Sequence, residues 1–67
     1  MSVAKTVEIT ATSTKSFEDA FNKGVKRATK TLKNVRSAWI KDQKATIKAN
    51  EIVEYRVRIK VTFELAK

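Results

Sequence analysis

The chain has 67 residues, 42% hydrophobic and 33% charged, with 15 Lys and Arg against 7 Asp and Glu for a formal charge of +8. This length suits one small domain over residues 1–67 and excludes multidomain and large-cleft enzyme architectures. With no cysteine and no histidine, disulfide staples, thiolate or imidazole metal sites, and nucleophilic dyads or triads built on either residue are excluded as well.

A single glycine and no proline mark a chain of regular elements, not a linker or disordered tail. The basic surplus calls for an anionic partner: a nucleic acid, an anionic cofactor or an anionic surface. Apolar stretches are too short for a signal-peptide core or a membrane span, and Ser2 stands where myristoylation requires glycine. The expectation is therefore a cytoplasmic protein with no membrane partner.

From Val3 to Ala11 the apolar residues Val3, Val7, Ile9 and Ala11 alternate with Thr6, Glu8 and Thr10, the period of a strand buried on one face. The polar run from Thr12 to Ser16 closes it. Ser16 with Asp19 three residues on is an N-cap with an acid in the first turn, and a helix starts at Phe17. Phe17, Ala20, Phe21, Gly24, Val25, Ala28 and Leu32 form its packed stripe, and Asn34 is its stop.

Val35 to Lys48 is β-compatible but irregular: Ala38 and Ile40 take even positions, Ala45 and Ile47 odd ones. A bulge near Asp42-Gln43 restores one consistent face. Ala49-Asn50 turns the chain, and Glu51 to Ala66 alternates throughout, with Val53, Tyr55, Val57, Ile59, Val61, Phe63 and Leu65 on one side and Glu54, Arg56, Arg58, Lys60, Thr62 and Glu64 on the other. The fold class is thus α+β in the order β-α-β-β. One helix on three strands leaves a chain this short close to zero net stability, and the last strand is more than twice the usual ~5–6 residues. Both features point to self-association.

The pieces Thr12-Ser13, Ser16-Phe17-Glu18-Asp19-Ala20, Arg27-Ala28, Thr31-Leu32, Asn34-Val35, Asp42-Gln43, Tyr55 and Val61-Thr62-Phe63-Glu64-Leu65 span almost the whole chain. In order and spacing this sequence resembles the dodecin family. The resemblance implies a three-stranded antiparallel sheet wrapped around one helix, assembled as a hollow homododecamer. It also implies a non-catalytic flavin-binding and storage protein, with isoalloxazine rings stacked on aromatic side chains of neighbouring subunits.

Three positions carry the family's ligand pattern. The stacking tryptophan two residues past the Asn-Val pair corresponds to Ser37, and the glutamine following the Tyr of the last strand corresponds to Arg56. The acid near the ribityl chain is matched by Asp42, followed by Gln43. Trp39 lies two residues beyond Ser37 and so on the same strand face, where it is either a displaced stacking platform or an interface aromatic. The candidate cofactor-binding residues are Ser37, Trp39, Asp42, Gln43, Arg56 and Arg58. The cofactor is a flavin, riboflavin or FMN, with coenzyme A or a nucleotide as anionic alternatives.

The seven acids are too dispersed for acid-base catalysis, and with no local loop of acids a calcium site could form only across subunits. Mid-helix Gly24 signals close packing of helix on sheet. The rival reading is a nucleic-acid surface formed by Lys23, Lys26, Arg27, Lys30 and Lys33 on the wet side of the helix. The sparse aromatics and the missing recognition motif weigh against it, and a purely structural oligomer is the remaining alternative.

Overall fold

A computed structural model describes residues 3–65. The elements are β1 (Ala4–Ser13), α1 (Phe17–Thr31), β2 (Val35–Lys48) and β3 (Glu51–Glu64). They form one antiparallel sheet in the order β1-β3-β2, so the longest alternating segment lies in the middle and pairs on both sides. Among the described residues no helix is long and apolar enough to cross a membrane.

The alternation of β3 sets the two faces of the sheet. Val57, Ile59 and Val61 are fully buried, and each is paired in the ladder on both sides: Val57 with Ala11 and Gln43, Ile59 with Ile9 and Ile40, Val61 with Val7 and Ala38. Ala20 and Ala28 of the helix complete this core, with Phe17, Phe21 and Leu32 packed around it. Burying a Val or Ile side chain contributes about 1.5–3 kcal/mol, so these three side chains are the main anchor of sheet to helix.

Small residues let the helix sit close. A Cβ on Gly24 would stand 2.5 Å from Ile59 Cδ1 and 3.1 Å from Ala11 Cβ, which is the close approach expected from a mid-helix glycine. The helix starts on Ser16, whose hydroxyl accepts from Asp19 N at 2.9 Å. Strand β1 runs two residues past the expected end at Ala11, because Ser13 is itself built into the helix start. Its buried hydroxyl donates to Asp19 Oδ2 at 2.6 Å and accepts from Lys15 N at 2.9 Å. The helix ends with Leu32 N donating to Ala28 O, and Asn34 takes φ 61.

In β2 the register shifts between Ile40 and Asp42, one residue before the expected bulge site. The extra Lys41 brings both Ile40 and Ala45 onto the inward row, opposite Ile59 and Tyr55. A further shift between Thr46 and Ile47 leaves Val53 as the extra residue and sets Ile47 opposite Ile52. Val53, expected to face the core, is instead 41% exposed. The reason is geometric: β1 stops at the Ser13–Tyr55 pair and the helix begins at Phe17, whose ring meets Tyr55 edge-on at 4.9 Å. Beyond that point the β2-β3 hairpin continues uncovered to its two-residue turn, Ala49 and Asn50, at φ 52 and 64. Val3 backbone O accepts from Leu65 N at the opposite end, and Ala66 lies outside the described residues.

Candidate functional site

The helix-free face of the sheet carries the outward row of β3: Arg56, Arg58, Lys60 and Thr62. Register places Thr12 and Lys44 beside Arg56, Thr10 and Asp42 beside Arg58, Glu8 and Trp39 beside Lys60, and Thr6 and Ser37 beside Thr62. Ser37 and Trp39 therefore share a face, and Trp39 is 48% exposed on it.

Electrostatics on this face are organised by two acids. Arg58 holds Asp42 bidentately, with Nε donating to Oδ1 at 2.8 Å and the second guanidinium nitrogen donating to Oδ2. The guanidinium keeps the Asp42 carboxyl below its ordinary pKa, and the carboxylate raises that of Arg58 in return. Glu8 lies among Lys60 at 3.2 Å, Lys41 at 3.4 Å and Arg58 at 3.9 Å. Hydrogen bonds from Lys60 and then Lys41 lower its pKa.

Between β1 and the bulged part of β2 this face opens into a groove of ≈ 450 Å³ lined by Thr10, Asp42, Gln43, Lys44, Arg56 and Arg58. Four of the candidate residues, Asp42, Gln43, Arg56 and Arg58, meet there. Ser37 and Trp39 lie farther along β2, past the Asp42–Arg58 pair. Thr10 and Lys44 join the groove without having been singled out in the sequence; once β1 and β2 are both known to flank β3, the polar alternation of β1 marks Thr10.

Arg56 is the chemically open member. One terminal nitrogen is 3.6 Å from Glu54 Oε1, while its buried Nε has no hydrogen-bond partner. A buried unpaired donor is costly, and an acceptor entering the groove would relieve it. Among the described residues no three His, Cys, Asp or Glu side chains converge as a metal set.

The Dodecin family model matches residues 3–66. The chain belongs to the dodecin family. The calcium dodecin of Mycobacterium tuberculosis is 31% identical over 65 residues, which cover 97% of this chain and 92% of that protein. A solved arginine-to-alanine variant of the Thermus thermophilus dodecin is 33% identical, with TM-score 0.92 and complete coverage of both chains. The dodecin of Streptomyces davaonensis, 24% identical with TM-score 0.91 over 98% of this chain and 97% of its own, shares the fold. The β-α-β-β order with three antiparallel strands and one helix is thus the dodecin architecture.

Proposed function

We propose that this dodecin is a non-catalytic homo-oligomer, a dodecamer by its family resemblance, that binds and stores a flavin at its subunit interfaces in the cytoplasm. Riboflavin or FMN is the ligand, with coenzyme A or a nucleotide as chemically related anionic alternatives. One observation carries this reading: Trp39, half exposed, projects from the helix-free face beside Lys60, two ladder pairs from Asp42–Arg58. An aromatic platform bordered by cations suits a flat ring system with an anionic tail.

Polar ring edges and phosphate oxygens are acceptors, and the groove supplies donors in Arg56, Arg58 and Lys44. The outward acids do not compete for a metal ion, since Glu8 and Asp42 are each engaged by cations of this chain. The calcium association of the Mycobacterium tuberculosis relative is therefore not carried over.

Titration with riboflavin or FMN tests the reading. Trp39 is the only tryptophan, so its emission should be quenched on binding, and flavin emission should fall in parallel. Trp39→Ala should weaken binding by the ~0.5–1.5 kcal/mol that aromatic stacking contributes beyond area burial. Absence of quenching by both flavins overturns the proposal.

A further inference from the structure

The helix carries a charge pattern that the site on the sheet does not use. Residues 20–41 hold seven cations and no Asp or Glu, so nearly the whole surplus of a +8 chain sits in one segment. Three of the seven are paired within the chain: Lys23 with Asp19, Arg36 with Glu64 and Lys41 with Glu8. Lys26, Arg27, Lys30 and Lys33 are exposed and make no ion pair among the described residues. At 3.6 residues per turn, Lys23, Lys26, Arg27 and Lys30 fall within an arc of about 100° and span about 10 Å along the axis. Asp19, the one acid on that arc, is taken by Ser13 and Lys23. Lys23 with Arg27 and Lys26 with Lys30 are like-charged pairs at i,i+4, an arrangement that destabilises a helix. A face serving solubility alone intersperses acids among its cations; here the cations repel one another, and an external polyanion relieves them.

We propose that this face of α1, with Lys33 just beyond its end, is a second binding surface, one that takes the phosphate backbone of duplex nucleic acid without regard to sequence. A duplex presents one negative charge per ~1.7 Å of its axis, so a stripe about 10 Å long spans about six phosphates, enough for each cation to meet one. Single strands are held by stacking their bases on aromatic side chains, and none stands on this stripe. Phe17 and Phe21 pack on the core, Tyr55 lies against Phe17, and Trp39 projects from the opposite, helix-free face of the sheet. A membrane surface fits less well, because an interfacial helix buries its apolar side in lipid and the apolar side of α1 is already packed on the sheet. Backbone binding needs neither aromatic residues nor a recognition motif. The surface lies across the molecule from the flavin site and does not depend on it.

Fluorescence anisotropy of the full-length protein with a labelled DNA duplex of mixed sequence, two helical turns long, tests the proposal. Affinity should fall as salt rises, with a log–log slope of about −0.9 for each phosphate neutralised. Lys26→Gln with Lys30→Gln should weaken binding roughly tenfold or more at low salt and flatten that slope by about two or more. The Tm of this double variant should equal or exceed that of the parent, since repulsion along the helix is removed. An equal loss of charge off the helix, Lys5→Gln with Lys15→Gln, should cost much less affinity. Equal losses in the two double variants would assign the binding to net charge and overturn the helix surface. No binding of the duplex by the parent at low salt, tighter binding of a single strand than of the duplex, or a preference for phosphatidylserine vesicles would each overturn it as well. Riboflavin titration should be the same in the parent and in Lys26→Gln with Lys30→Gln, so failure of the flavin reading and failure of this one are separate results.

Discussion

Arg58 spans from β3 to β2 to hold Asp42 with two parallel hydrogen bonds, so the acid proposed for the ligand site is already engaged by a cation from its own chain. A ligand phosphate and the Asp42 carboxylate then compete for one guanidinium. Asp42→Asn keeps the side-chain shape and frees Arg58. FMN should bind more tightly to this variant than to the parent, with riboflavin changed much less. Calorimetry showing unchanged or weaker FMN binding would mean that Arg58 serves only the sheet.

Acid should destabilise the fold in a defined direction. Glu8, Asp19 and Asp42 all have pKa values lowered in the folded state, by Lys60, Ser13 and Arg58 respectively as the first cause. A depressed carboxylate contributes stability that is fully present above the unfolded-state pKa, about 4, and is lost as pH falls through the lower folded value. Tm should hold from pH 7 to about 5 and then drop steeply below about 4. Ser13→Ala should lower Tm at pH 7 and flatten the acid limb, because Asp19 loses its strongest stabilising partner. An acid limb of equal slope in both proteins would assign the drop to other groups.

Gly24→Ala sets two effects against each other. Alanine is favoured in a helix interior by about 1 kcal/mol, but its Cβ would stand 2.5 Å from the buried Ile59 Cδ1 and 3.1 Å from Ala11 Cβ. Overpacking costs roughly 1–3 kcal/mol, so the variant should be less stable. Ile59→Val removes the clashing atom, and the double variant should be more stable than the sum of the single effects predicts. Additive losses in denaturant melts would show that Ile59 can turn aside unaided.

Much of this architecture can be read from the residues because periodicity is local. The alternation from Val53 to Leu65 and the stripe from Phe17 to Leu32 declare strand and helix with no partner needed, and the switch from Ile40 to Ala45 requires a bulge wherever it falls. Pairing is non-local, and that is where the residues say least. Nothing in β1 or β2 alone puts β3 between them, so the meeting of Thr10 and Lys44 in the Arg56 groove emerges only with the register. Val53 has the right parity for the core but lies beyond the reach of the helix. Ser13 looks like a loop residue until its hydroxyl is seen on Asp19.

The hairpin turn offers a stabilising change. Ala49 sits at φ 52 and Asn50 at φ 64 between the paired residues Lys48 and Glu51, a two-residue turn of the kind that favours Asn-Gly and similar pairs. Left-handed geometry costs an L-residue with a Cβ roughly 1–2 kcal/mol, and asparagine tolerates it better than alanine. Ala49→Gly removes that cost, offset in part by the greater freedom of glycine in the unfolded chain. A net gain of about 0.5–1 kcal/mol is expected in denaturant melts; a loss would mean that the Ala49 methyl makes a contact in the assembly.

Arg56 offers the sharpest test of ligand charge. Its Nε is buried without a partner, and Lys44 and Arg58 line the same groove. Riboflavin and FMN present the same ring system and differ in the phosphate, so the ratio of their affinities isolates the interaction with the anionic tail. FMN should bind better at low salt. Screening lengths shorten from about 30 Å at 0.01 M to about 10 Å at 0.1 M, so the advantage should narrow as salt rises, and most of the change should come from FMN. Arg56→Gln supplies a neutral side chain that can still hydrogen-bond a polar ring edge. It should reduce the FMN advantage while leaving riboflavin affinity equal or improved. If the two flavins bind this chain equally at low ionic strength, the guanidinium of Arg56 takes no part in ligand choice and its pairing with Glu54 is its whole role.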